Sequence, residues 1–212
     1  RQLEENHRFE PLGIVYSGID AGEIIDPESK DISLDRGLVI TMACLLIPRK
    51  NVQPCLHAFK ALIDSGVRLT VHLHGDGPLS GVIARDIERL GLTDVVFQHG
   101  FTPRSEVLKA MRVSHLFLMP SAGETFGLVY LEAMASGCVV IGHKGWGIDG
   151  IVEDGANGYL VAVPTEAEIS SKIKAYLAIQ DRGTLHRQAV QIAKIYTKDN
   201  AVRHYRALLK PS

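Results

Sequence analysis

Two carboxylates, Glu124 and Glu132, stand with seven residues between them in the stretch SAGETFGLVYLEAMASG, residues 121–137. After Glu124 the run is small or apolar almost throughout. A helical wheel over residues 126–136 has apolar positions on every side, so that helix should be mostly buried. Glu132 is then a charge at the margin of a core, where an unpaired carboxylate is costly. It either reaches solvent or a nearby Lys, or it accepts hydrogen bonds from ligand hydroxyls. A vicinal diol suits the second role, because an ionised carboxylate is acceptor-only and the diol offers two donors.

Glu124 precedes the helix. The segment GETFG offers the backbone N–H groups of Thr125, Phe126 and Gly127 at a helix N-terminus, where unpaired donors and the helix dipole favour phosphate. Gly123 and Gly127 allow a ligand to approach closely. A Glu at a helix start is equally an ordinary cap. At helical pitch the two carboxylates would lie about 12 Å apart, of the order of a nucleotide sugar's span. Arg49 and Lys50, in PRKN, could supply positive charge for a diphosphate between them.

These residues must be positioned by a scaffold, and apolar runs of strand length alternate with amphipathic segments of helix length. GLVITMAC, RLTVHLHG, VVFQHG, SHLFLMP, CVVIG and GYLVAV read as strands. Helices are expected after the first four, the fourth over residues 126–136, and again from about 166 to 209, with breaks near 181–183 and 197–200. Continuous apolar strands alternating with helices predict an α/β fold, a doubly wound parallel Rossmann-like sheet. Ligands of such sheets bind at the carboxyl ends of the strands. The expected division is a linker-like segment 1–36, a nucleotide-sugar-binding domain 37–180 and C-terminal helices 181–212.

The 212 residues are 46% hydrophobic and 22% charged, with formal net charge −1, so no global field recruits nucleic acid or an anionic membrane. No apolar run approaches the roughly 20 residues of a membrane span, and no signal-peptide pattern opens the chain. Cys44, Cys55 and Cys138 lie far apart and are expected as buried free thiols of a reducing compartment. The nine histidines include His72 and His74 on one strand face, with no carboxylate or Cys nearby in sequence to complete a metal site. G-x-G-x-x-G is absent after the first strand, which argues against a dinucleotide oxidoreductase. Trp146 could stack on a base or sugar, or cover the cleft. The start at Arg1 rather than Met suggests a fragment.

The stretch SAGETFGLVYLEAMASGCVVIG resembles the two-glutamate signature of retaining, family-4-type glycosyltransferases of the GT-B fold. IVYSGID, LLIPRKNVQPCLHAF, HLHGDGP, LGLTDVVFQHGF, SHLFLMPSAGETFG and GIVEDGANGYLV follow that family's order over about residues 14–180. The resemblance implies the C-terminal, donor-binding half of a GT-B enzyme, with the acceptor-binding N-terminal half missing and the fragment inactive alone. It implies that Glu124 lies beside the donor sugar as the catalytic carboxylate and that Glu132 binds the ribose hydroxyls. Lys50, with Arg49, would neutralise the diphosphate; the amides of Thr125, Phe126 and Gly127 would hold phosphate; Gly100 and Phe101 would border the nucleobase. It further implies no cofactor and no metal, a nucleotide-diphosphate sugar as co-substrate and a glycan or lipid acceptor, in cell-surface polysaccharide or lipopolysaccharide assembly. The location implied is cytoplasmic, with any attachment at the inner membrane face carried by the missing half. Two positions depart from the family: Leu45 stands where many members carry Arg, and in GWGIDG Gly150 and Asp149 replace the usual Glu and Pro. A nucleotide-sugar epimerase of the same fold and a non-catalytic nucleotide-binding module remain as alternatives.

Overall fold

The computed structural model describes residues 16–209. The expected linker-like segment 1–36 therefore falls partly outside the described residues.

Six strands form one sheet: β1 Leu38–Ala43, β2 Leu69–His74, β3 Val96–Gly100, β4 Leu116–Leu118, β5 Val139–His143 and β6 Gly158–Val161. Their order is β3-β2-β1-β4-β5-β6, and every neighbouring pair is parallel. The helices are α1 Val52–Asp64, α2 Ser80–Arg89, α3 Arg104–Val113, α4 Leu128–Ala135, α5 Glu166–Ala178, α6 Arg182–Ile195 and α7 Lys198–Leu208. The doubly wound sheet expected from the alternation is thus the observed fold.

Alternate residues of β4, β5 and β6 feed two cores, as the period of a pleated strand requires. Leu38, Ile40, Met42, Val71 and Leu73 pack with Leu56 and Phe59 of α1 and Ile173 of α5. Phe117 and Val140 pack on the other face with Tyr130, Leu131 and Met134 of α4 and Ala189 and Ala193 of α6. β4, β5 and β6 are buried on both faces, which is why they read as apolar runs without alternation, whereas β2 and β3 at the sheet's other edge keep one face partly exposed.

The helix expected over 126–136 is shorter, running only from Leu128 to Ala135. Gly127 adopts φ 71°, a left-handed conformation that starts the helix abruptly, and a Cβ there would lie 2.7 Å from the Tyr130 ring. The 12 Å rise at helical pitch therefore does not apply between Glu124 and Gly127. The strand expected over SHLFLMP keeps only Leu116–Leu118. The Ser114 hydroxyl pairs with that of Thr41 at 2.7 Å, and His115 Nδ1 accepts the Val39 N–H at 2.9 Å.

His186 of α6 is a buried polar joint. Its Nδ1–H donates to the Gly137 carbonyl at 2.6 Å, which leaves Nε2 to accept the Tyr176 hydroxyl at 2.9 Å. Burial pushes the imidazole down to about 4. The unfolded chain therefore binds the extra proton between the ordinary histidine value and pH 4, so stability is full above pH 6.5 and falls as the pH drops. The expected loss by pH 4 from this group is about 2–3 kcal/mol. Thermal melts at pH 7.5 and 5 should show a shallower decline in His186→Asn; an unchanged decline would exclude His186 as a source.

Candidate functional site

Winding runs outward from β1 to β3 and then reverses, β4 returning to the other side of β1. The loops leaving β1 and β4 thus diverge at a switch point, the place where open α/β sheets form a crevice. Pro48–Lys50 make one turn of 3-10 helix, ended by Asn51 at φ 54°. Asn51 Nδ2 donates to the Pro120 carbonyl at 2.7 Å, and the Ala122 N–H donates to the Arg49 carbonyl at 2.9 Å. These bonds fasten the two loops together.

Lys50 is carried underneath, only 7% exposed. Its ammonium group pairs with the Glu124 carboxylate and lies 3.8 Å from Met119 Sδ. Arg49, half exposed, is 3.3 Å from the same carboxylate and donates to the Ala122 and Gly123 carbonyls at 3.3 and 3.2 Å. The Ser121 hydroxyl donates to Glu124 at 3.0 Å. Burial alone would raise the Glu124 carboxyl, but Lys50, Ser121 and Arg49 outweigh it and hold the group below its ordinary value. Glu124 is ionised at neutral pH, and its charge is compensated.

Thr125, Phe126 and Gly127 form the bend between Glu124 and α4. The loop after β5 closes over it. The Gly147 N–H donates to the Glu124 carbonyl at 2.9 Å, so close that a Cβ at Gly147 would meet Glu124 Cβ at 2.8 Å. Trp146 beside it is 44% exposed. Asp149 accepts the Gly145 N–H at 2.6 Å and so serves its own loop.

Glu132 lies on α4 with Leu128, one turn away on the helix's open side; Leu128 is 41% exposed, a departure from the expected all-round burial. The partner of Glu132 is Arg104, at the start of α3, whose Nε donates at 2.7 Å. Both terminal nitrogens of Arg104 donate to Glu23 at 2.6 Å, and the Arg104 hydrogen bond holds the Glu23 carboxyl below its ordinary value. Sequence reading missed Arg104, because nothing in FTPRS relates it to a residue 28 positions later.

A cleft of about 560 Å³ opens at the carboxyl ends of β1, β2 and β3, lined by Cys44, Leu45, His74, Phe101 and Thr102 among others. Phe101 is 85% exposed. Cys44 corrects an expectation: it is a free thiol but only partly buried, because β1 ends at the cleft wall, and burial pushes it up to about 11. Cys55 and Cys138 are buried and free. The Thr102 hydroxyl donates to the Gly100 carbonyl at 3.1 Å, so His74 Nδ1–H donates to Thr102 Oγ1 at 3.1 Å. His74 also stacks on His99 of β3, with ring centroids 4.5 Å apart, and His99 bonds His72 at 3.0 Å. Among the described residues no group of three or more His, Cys, Asp or Glu is placed to hold a metal ion.

The geometry thus brings Arg49, Lys50 and Glu124 into one cluster beside the Thr125–Gly127 bend. Glu132 belongs to a second cluster, with Arg104 and Glu23. Phe101 lines the cleft, and Gly100 precedes it as the last residue of β3. The family model of glycosyl transferases group 1 matches residues 25–195, most of the chain. The chain belongs to this family. Among group 1 relatives, the D-inositol 3-phosphate glycosyltransferase of Segniliparus rotundus is 28% identical, over 94% of this chain and 47% of that protein. The alpha-monoglucosyldiacylglycerol synthase of Streptococcus pneumoniae is 27% identical, over 75% of this chain and 37% of that protein. Anabaena HepE, solved in complex with UDP, superposes with a TM-score of 0.79 at 24% identity, over 93% of this chain and 57% of that one. The chain spans about half or less of the length of these two relatives. Among the described residues no helix is long and apolar enough to cross a membrane.

Proposed function

We propose that this chain is the donor-binding half of a retaining group 1 glycosyltransferase that moves a glycosyl group from a nucleotide-diphosphate sugar to a glycan or lipid acceptor in cell-surface polymer assembly. The observation that carries the reading is the buried Lys50 ammonium, held against Glu124 at the switch point beside the backbone donors of residues 125–127. A diphosphate there meets Lys50 and Arg49 as counter-charges. The amides of Thr125, Phe126 and Gly127 donate to its oxygens, and negative charge growing on the leaving group is stabilised by the same donors. Glu124, kept ionised by its neighbours, faces positive charge developing on the sugar ring. Glu132 accepts the ribose hydroxyls, exchanging part of its bond with Arg104 for them. The cleft at Phe101 takes the base. The acceptor site belongs to a domain beyond this chain, and the reaction to the whole protein.

Calorimetric titration with UDP, GDP and ADP, then with matching nucleotide sugars, tests this. One nucleotide should be preferred, and Glu132→Ala should weaken it by roughly 1–3 kcal/mol. Equal affinity before and after that substitution would overturn the assignment of Glu132. Arg104 orients the carboxylate rather than touching the ligand, so Arg104→Met should weaken the same nucleotide less, about three- to tenfold. A larger loss than in Glu132→Ala would give Arg104 the direct contact instead.

A further inference from the structure

The bend that offers the Thr125, Phe126 and Gly127 amides is anchored firmly at both ends. Glu124 before it is held by Lys50, Ser121 and Gly147, and α4 follows it. Between those anchors lies Phe126, whose partly buried ring packs with rings from outside the bend. Tyr16 stacks on that ring with centroids 5.1 Å apart and planes 22° apart. Tyr196, at the end of α6, meets Tyr16 edge-on at 5.8 Å and Phe126 at 6.1 Å. Tyr16 is 46% exposed, and Phe126 and Tyr196, partly buried, pack against the edge of the core. Offset and edge-to-face pairs are directional and fix ring orientation.

The chain leading away from Tyr16 is itself tied to the corner between α6 and α7. The Ile19 N–H donates to the Tyr196 carbonyl at 3.0 Å, and the Lys198 N–H donates to the Ile19 carbonyl at 2.9 Å. A small cleft of about 250 Å³ lies beside the rings, lined by Tyr16, Tyr196, Asn200 and His204. The rings therefore join three segments far apart in sequence: the start of the described chain, the bend before α4, and the α6–α7 corner.

We propose that Tyr16 and Tyr196 are positioning residues for the donor's diphosphate: by clamping Phe126 they set the direction of the amides of residues 125–127. The inference rests on the donor-site reading above. It adds that diphosphate affinity is governed from outside the cleft, by the packing of the 16–19 segment on the α6–α7 corner. A displacement of Tyr16 turns Phe126 and spreads the amides, while the cleft at Phe101 and its contacts with a base are left unchanged.

The test separates the phosphate from the nucleoside. UDP and uridine are titrated into the full chain, the weaker ligand by NMR, for the unsubstituted protein, Tyr16→Leu, Tyr196→Leu and Tyr16→Phe. The leucine variants retain apolar volume, and thermal melts check that each is folded. Expected is a three- to tenfold weakening of UDP in both leucine variants, unchanged uridine affinity, and recovery in Tyr16→Phe, which restores the stacked ring. Equal weakening of UDP and uridine would make the cluster a general support and overturn the proposal, as would unchanged UDP affinity in either folded leucine variant. Failure of the donor-site reading is distinguishable: the unsubstituted chain would then bind neither ligand, or UDP would be indifferent to Lys50→Ala.

Discussion

Lys50→Ala is expected to weaken UDP binding by roughly thirty- to a hundredfold while leaving uridine affinity unchanged. Two effects add. The substitution removes a charged donor to the diphosphate, and it strips the counter-charge from Glu124, which then repels the ligand. Glu124 has Arg49 as its other cationic contact, 3.3 Å away and half exposed, where solvent screens it. The second effect can be isolated. Glu124→Gln placed on top of Lys50→Ala removes the unmasked repulsion, so the double variant should bind UDP more tightly than Lys50→Ala alone. A double variant that binds more weakly than either single one would mean that Glu124 contacts the nucleotide favourably, and the ion pair would need another explanation. Calorimetry on the four proteins of this cycle reads the coupling directly.

The same cycle carries a pH signature. Glu124 is held below its ordinary value by Lys50 and its other neighbours, against the upward push of burial. A carboxylate with a depressed folded value contributes stability that is present above its unfolded value and is lost as the pH falls through the folded one. Without Lys50 the upward push of burial faces less opposition, so that contribution shrinks. The difference in stability between the unsubstituted chain and Lys50→Ala should therefore narrow as both are taken below pH 4.

The sheet was legible because β1, β4, β5 and β6 are largely buried on both sides, and apolar runs followed by amphipathic segments have few other solutions. Glu132 was legible for the opposite reason, as a charge where an apolar run leaves no cheap place for it, and Glu124 by its place just before a helix start. The partners were not. Arg104 meets Glu132, and Lys50 meets Glu124, only because the chain winds outward to β3 and reverses, bringing α3 beside α4 and the β1 loop beside the β4 loop. The order of strands is a global choice that local periodicity does not encode. The early end of the predicted helix had a local cause, the left-handed Gly127, but a glycine inside an otherwise helical pattern fits a helix interior as well as a stop. His99 went unremarked beside His72 and His74 because their neighbourhood requires the pairing of β2 with β3.

Lys30→Met is expected to cost about 2–4 kcal/mol of stability, far more than an average surface lysine. Lys30 lies in a stretch that reads as polar and irregular, yet it is 8% exposed. Its ammonium group donates to the carbonyls of Met111, Arg112 and Ser136, each at 2.9 Å. These carbonyls lie at the C-terminal ends of α3 and α4, the negative ends of two helix dipoles; the Met111 carbonyl also accepts the Ser114 N–H at 3.1 Å and the Cys138 thiol at 2.9 Å. One cation thus closes two helix ends and binds the segment before β1 to the layer that carries Glu132. Methionine fills the channel but donates nothing, and takes the Lys30 donor from the Arg112 and Ser136 carbonyls, while the Met111 carbonyl keeps its bonds to Ser114 and Cys138. Lys172, whose partner Asp154 is half exposed, is the contrast: Lys172→Met should cost less than about 1 kcal/mol. Denaturant titration of both variants decides the matter, and equal losses would show that Lys30 is an ordinary surface charge. The pH dependence gives an independent sign. Burial holds the Lys30 amine below the usual lysine value, so between the two values the unfolded chain binds more protons and stability rises with pH. Approaching pH 10 the unsubstituted chain should therefore gain on Lys30→Met, whereas a solvated lysine would leave the gap between them constant.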